Sequence, residues 1–221
     1  MTDRIAVDLG LRENWLQFTL LVIVNVCVGG LVGLERTTVP LIGIQVFGIT
    51  SDLAVFSFII AFGVTKALTN LAAGALTALF RRKQLLLAGW AAGVPVPFML
   101  AWGQAWWWIV AANVLLGLNQ GLAWSMTVNM KIDLVGPKQR GLATGLNEAA
   151  GYAAVGATAL LTGYLATPDG LRPVPELIGA VFVVAGLGLS LLAGDTADHV
   201  ALELSRHPRP VPAEGSGLRT I

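Results

Sequence analysis

Apolar residues run along this chain in six long blocks, near Trp15–Val39, Leu53–Phe80, Gln84–Ala101, Trp106–Val128, Leu142–Ala166 and Leu177–Ala193. Each is close to or longer than the ~20 residues an α-helix needs to cross a hydrocarbon core of ~30 Å. None shows the period of two expected of a membrane β-strand. Pro40, Gly43 and Gly48 are expected to break helix one from helix two. Pro168, Gly170, Pro173 and Pro175, within Thr167–Glu176, should end helix five and start helix six. The pattern predicts an all-α membrane protein, with a six-transmembrane-helix bundle over residues 15–194. Residues 1–14 precede it, and a tail, 195–221, follows as a short polar helix to Ser205 and then a partly disordered, proline- and glycine-rich loop.

Composition agrees. Hydrophobic residues make up 55% of the 221, charged residues 12%, and mean hydropathy is +0.73. An ordinary soluble domain carries about 25% charged residues, so a soluble enzyme and a disordered chain are both excluded. The first 14 residues include Asp3, Arg4, Asp8, Arg12 and Glu13, and the apolar run after them is too long for the core of a cleaved signal. Cys27 is the single cysteine, so no disulfide is expected. A net charge of +1 gives no reason to expect a nucleic-acid partner. The lipid bilayer is the partner that the composition demands.

Lysine and arginine collect on the cytoplasmic side of membrane proteins. With the N-terminus inside, the inner segments hold Arg4, Arg12, Arg81, Arg82, Lys83, Lys131, Lys138, Arg140, Arg206, Arg209 and Arg219. The outer segments hold only Arg36 and Arg172, and Lys66 lies within a span. This bias predicts an integral protein of the cell (inner) membrane with both termini cytoplasmic. Trp102, Trp106, Trp107 and Trp108 would form an outer aromatic belt, with Trp15 and Trp124 near the inner face.

An offset of 88 residues lays helix one on helix four: Asn25-Val26, Gly29 and Gly33-Leu34 fall on Asn113-Val114, Gly117 and Gly121-Leu122. The same offset sets Gly63 on Gly151. Helix one runs outward and helix four inward, so the bundle is expected to consist of two inverted three-helix repeats, a device known in transporters. Taken alone, Gly-x-x-x-Gly spacing marks close helix packing.

The segment Gly74-Ala75-Leu76-Thr77-Ala78-Leu79-Phe80-Arg81-Arg82-Lys83, the step Arg140-Gly141, the six spans and the inverted repeat together resemble the N-terminal six-helix half of a major facilitator superfamily (MFS) transporter. Gly74, Leu76, Phe80, Arg82 and Lys83 match the family's signature loop, while Ala78 stands at its acidic position and Arg81 at its glycine position. The resemblance implies a secondary transporter that moves a small solute by alternating access, coupled to protons, with Gly74, Arg82 and Lys83 in a gating loop. Its acidic latch cannot be carried over to Ala78. Family members normally have two six-helix halves, so a second half or a homo-oligomer is expected for activity. The alternative is a truncated, non-transporting membrane scaffold or partner subunit.

Ionisable groups within spans cost roughly 2.5–3.5 kcal/mol on insertion scales and are functional candidates by default. Lys66 shares a helix stripe with Gly63, Asn70 and Gly74, so it faces protein or a cavity. It would attract an anionic substrate or replace a proton-site cation, or be a lysine paired within the bundle. Glu148, beside Asn147 and on the face of Gly151 and Tyr152, is either a proton carrier or a structural carboxylate. Its depth differs from that of Lys66 by about 10 Å, which argues against a direct pair. Glu35 and Arg36 point ~100° apart and are not expected to pair; they form either an outer substrate or proton site or a capped helix end. Asn113, Asn119, Gln120 and Trp124 line a cavity or bond between helices. His199 and His207 lie in the tail without metal-ligand spacing, and no nucleophile elbow, phosphate loop or zinc-protease helix occurs. No enzyme, cofactor or metal site is expected.

Overall fold

In a bilayer every backbone N–H and C=O must find a partner within the chain, and a helix supplies them all. The computed structural model describes residues 7–166 and 170–206, and all of its regular elements are helical. The expected loop-like tail and the predicted inner residues Arg4, Arg209 and Arg219 lie outside the described residues, as does Pro168.

The first crossing is α1, Trp15–Leu41, extended by a π-helical turn, Ile42–Val46. It does not stop at Pro40. Proline lacks the N–H that would bond back one turn, and the chain continues through wider bonds such as Phe47 N to Ile42 O, 3.1 Å. The second crossing is a short α2, Asp52–Val55, then α3, Ser57–Leu76. Ser51 caps α2 by accepting from Ala54 N. The third is α4, Arg82–Gly93, and α5, Val96–Trp102, divided where Pro95 and Pro97 interrupt the ladder. The fourth joins α6, Trp106–Asn119, through a π-helical turn at Gln120–Trp124 to α7, Ser125–Val135. It runs one to two turns beyond the apolar run, carrying Lys131 and Asp133 into the bundle instead of leaving Lys131 in a loop. The remaining crossings are α8, Arg140–Leu165, and α9, Val174–Leu192, before a tail helix, α10, Ala197–Arg206. Five of the six crossings are long and apolar enough to span a bilayer. The exception is α8, whose 26 residues suffice in length but include Thr144, Asn147, Glu148 and several glycines.

The repeat appears as packing. A Cβ on Gly29 would lie 2.3 Å from Gly151 O, and one on Gly33 2.2 Å from Val155 O, so α1 lies backbone to backbone along α8. One repeat length on, a Cβ on Gly117 would lie 2.8 Å from Phe62 O and one on Gly121 2.5 Å from Thr69 Cβ, so α6 and the following turn lie along α3 in the same way. Both pairs are parallel. The pairs run antiparallel to each other, as Gln120 Nε2 to Val28 O (2.8 Å), Thr127 Oγ1 to Asn25 Oδ1 (3.2 Å) and Lys131 Nζ to Leu21 O (3.1 Å) show. The outer helices follow suit, α9 packing on α1 and α4 on α6. The chain is therefore an all-α membrane bundle of two inverted three-helix units, in which glycine holds the close contacts.

At the end bearing α10, Arg82 Nε lies 2.8 Å from Asp133 Oδ2, and Thr196 donates to the same oxygen at 2.6 Å. Lys83 donates through Nζ to Leu191 O (2.9 Å) and through its backbone to Asp195 (3.4 Å). Arg140 pairs with Glu203, Arg206 lies 3.4 Å from Asp8, and His199 Nε2 lies 3.1 Å from Asn14 Oδ1. This clasp ties four helices and the tail together.

Candidate functional site

Most buried polar groups of the bundle serve the helices themselves. Asn119 Nδ2 donates to Gly89 O at 3.0 Å, Gln120 reaches Val28 O, and Asn113 Nδ2 donates to Ile109 O of its own helix at 2.9 Å. All three are sealed from the surface, so of the helix-four candidates only Trp124 reaches an open face.

That face lies between α3 and α8. Lys66, half-buried on α3, holds Nζ 5.7 Å from the ring centroid of Phe62 and 5.3 Å from that of Trp124. Such spacings are those of cation–π contacts. Arg36, exposed on α1, places its guanidinium 5.3 Å from the same Phe62 ring. Trp124 donates through Nε1 to Glu148 Oε1 at 2.9 Å, and Asn147 Nδ2 donates to that oxygen at 2.9 Å. Lys66 and Glu148 form no ion pair, yet they meet on one indole, Lys66 over its ring and Glu148 at its Nε1 edge. Tyr152 stands edge-on to Trp124 with centroids 5.5 Å apart. Ser125 Oγ donates to Asn70 Oδ1 at 3.0 Å, and below them Gly74, Asn129 and Glu148 complete a cavity of about 300 Å³.

Glu35 sits apart, fully buried, with neither carboxylate oxygen accepting a hydrogen bond among the described residues. Arg36 Nε approaches Glu35 Oε2 to 3.6 Å. This corrects the expectation that the two do not pair: the Cβ directions diverge, but the guanidinium stem is long enough to fold back. The gap exceeds a hydrogen bond. Among the gating-loop residues, Gly74 lines the cavity, whereas Arg82 and Lys83 belong to the clasp at the α10 end.

Sequence reading missed three participants. Phe62 carries no polar signal, although its spacing of four residues from Lys66 sets the two side chains together. Ser125 gave no signal beyond its polarity. Lys131, which the end of the apolar run at Val128 places in a loop, is fully buried and bonded to Leu21 O. The stripe Gln120, Trp124, Thr127, Lys131, at spacings of four, three and four, marks it as part of helix four.

No curated protein matches this chain. The family model of the Major Facilitator Superfamily matches residues 14–219, and that family transports solutes across membranes. With an all-helical bundle, an inverted repeat and a match over nearly its whole length, the chain belongs to the Major Facilitator Superfamily.

Proposed function

We propose that this bundle moves a small solute by alternating access, coupled to protons, by rocking against a second six-helix bundle supplied by another half or another copy. The observation that carries the reading is the open face of α3 and α8. Lys66, Glu148 and Asn70 lie there within the membrane-spanning helices, beside exposed Tyr152. An ionic group turned toward lipid is costly, so such a face fits a water-filled path or a partner bundle. Glu35, sealed behind Arg36, is the group we assign to hold and release the coupling proton. The Lys/Arg bias supports a cell (inner) membrane location with both termini and the Arg82–Asp133 clasp on the cytoplasmic side.

The test is solute-evoked proton entry into pyranine-loaded liposomes containing the reconstituted protein, screened with a panel of small solutes. At least one solute should acidify the lumen, and Glu35→Gln and Lys66→Ala should abolish the signal while the helical circular-dichroism spectrum is kept. A folded protein that evokes no proton entry with any solute would overturn the coupling. An undiminished signal in Lys66→Ala would remove this face from the path.

A further inference from the structure

On the open face Lys66 has no ion-pair partner among the described residues. Arg36 and Lys66 lie against one ring, that of Phe62, at 5.3 and 5.7 Å from its centroid. Among the described residues Lys66 has no carboxylate within ion-pair reach, since the pairs found are Arg36–Glu35, Arg82–Asp133, Arg140–Glu203 and Arg206–Asp8. Glu148, the nearest acidic group on the face, spends one oxygen on Trp124 and Asn147. Glu35 approaches Arg36 to 3.6 Å and is fully buried, away from the open surface. Two cations on one ring repel each other, and cation–π contact is a weak substitute for a counter-ion in a low-dielectric setting. Lys66 lacks a paired anion.

We propose that the solute is a small organic anion, its carboxylate or similar group held by Arg36 and Lys66 and its apolar body lying along Trp124 toward the adjoining cavity. This rests on the reading of the face as a solute path and names the chemical class that path accepts. Arginine offers a planar pair of N–H donors and lysine a mobile point charge, a combination suited to carboxylate or phosphonate recognition. The cavity of about 300 Å³ beside Trp124 has room for a body the size of one ring.

The experiment is isothermal titration calorimetry of the whole chain in phosphatidylcholine nanodiscs, with empty nanodiscs subtracted. The probes are benzoate, benzyl alcohol and benzyltrimethylammonium, which share a ring and differ in charge. Benzoate should bind saturably and more tightly than either of the others. Arg36→Gln and Lys66→Gln should each weaken it by about tenfold or more, the size of a lost charged hydrogen bond, while Lys66→Arg retains most of the affinity. The two glutamine variants lie on different helices, so a folding defect in one leaves the other to decide. Benzoate binding no tighter than benzyl alcohol would overturn the proposal. So would preferred binding of the quaternary ammonium, strengthened by Lys66→Gln. Proton entry above that of protein-free liposomes separates the two readings: benzoate binding without any evoked proton flux sinks the proton coupling alone, and proton flux with a cation but not with benzoate sinks the anion class alone.

Discussion

Trp124 stands directly over Gly151: a Cβ added to the glycine would lie 2.4 Å from Cη2 of the indole and 2.6 Å from Asn25 Nδ2. The glycine that lets α1 approach α8 also leaves the hollow in which the indole lies flat enough to reach Glu148. Gly151→Ala must push the ring away, lengthening the bond between Nε1 and Glu148 Oε1 and moving the Lys66 platform with it. The expected cost is about 1–3 kcal/mol, the usual range for overpacking. It should appear as a lower melting midpoint in detergent and a shifted tryptophan emission. An alanine variant with wild-type stability and emission would show that the indole position is not set by this hollow.

The two halves of the repeat make a paired prediction. Gly29→Ala and Gly117→Ala occupy equivalent places, and each would drive a methyl into the backbone of a neighbouring helix, at 2.3 Å from Gly151 O and 2.8 Å from Phe62 O. Each should cost about 1–3 kcal/mol, with Gly29 the worse because its contact is closer. Gly63, which has nothing within 4 Å, is the contrast. Gly63→Ala should leave stability unchanged or raise it by up to about 1 kcal/mol through helix propensity. Thermal unfolding followed by circular dichroism ranks the three, and equal midpoints for all would deny that the glycine stripes hold the helices together.

The bundle was legible where the signal was a long apolar run or a repeated small residue, because those patterns set helix identity and close approach. The inverted repeat could be read from Asn25, Gly29 and Gly33 because helix contact admits nothing larger there. Helix ends were less legible. Pro40 reads locally as a stop, but lipid gives the backbone no other partner, and the chain keeps a helix by widening it. Lys131 reads as loop because charge ordinarily ends a span; in the folded chain Leu21 O accepts its bond, and Asp133 beyond it meets Arg82. The site was half legible. Lys66 and Glu148 stand out in an apolar context, but their meeting on Trp124 depends on three helices and on the hollow at Gly151, which no local pattern encodes.

The clasp separates a buried ion pair from a surface one. Asp133 is nearly buried and faces both Arg82 and Thr196, so Asp133→Asn keeps the hydroxyl partner while leaving Arg82 without its counter-ion. Arg82 retains some solvent exposure, which moderates the loss to about 1–3 kcal/mol. Arg140 and Glu203 pair at the surface, and Arg140→Gln should cost less than about 1 kcal/mol. Melting midpoints of the two variants, measured in one detergent, should therefore differ clearly. A larger loss from Arg140→Gln would place the weight of the clasp on the tail rather than on α4 and α7.

Docking of α10 should depend on pH through His199. Nε2 donates to Asn14 Oδ1, whose amide nitrogen is already donating to Gly10 O and Leu134 O, so the docked imidazole carries its proton on Nε2. Nδ1 is buried without a partner, and a second proton there would have no acceptor. Burial lowers the His199 pKa below its usual value, with the neighbouring Asp198 pulling weakly the other way. The released helix takes up a proton near pH 6.5 while the docked one resists it, so docking is fully present above that pH and weakens as pH falls through it. One proton limits the slope to about 1.4 kcal/mol per pH unit. Hydrogen exchange of the α10 amides, corrected for intrinsic rates, should show protection lost between pH 7.5 and 5.5, and His199→Gln should flatten the dependence. Protection that rises on acidification, or that follows pH equally in His199→Gln, would show that His199 does not set the dependence.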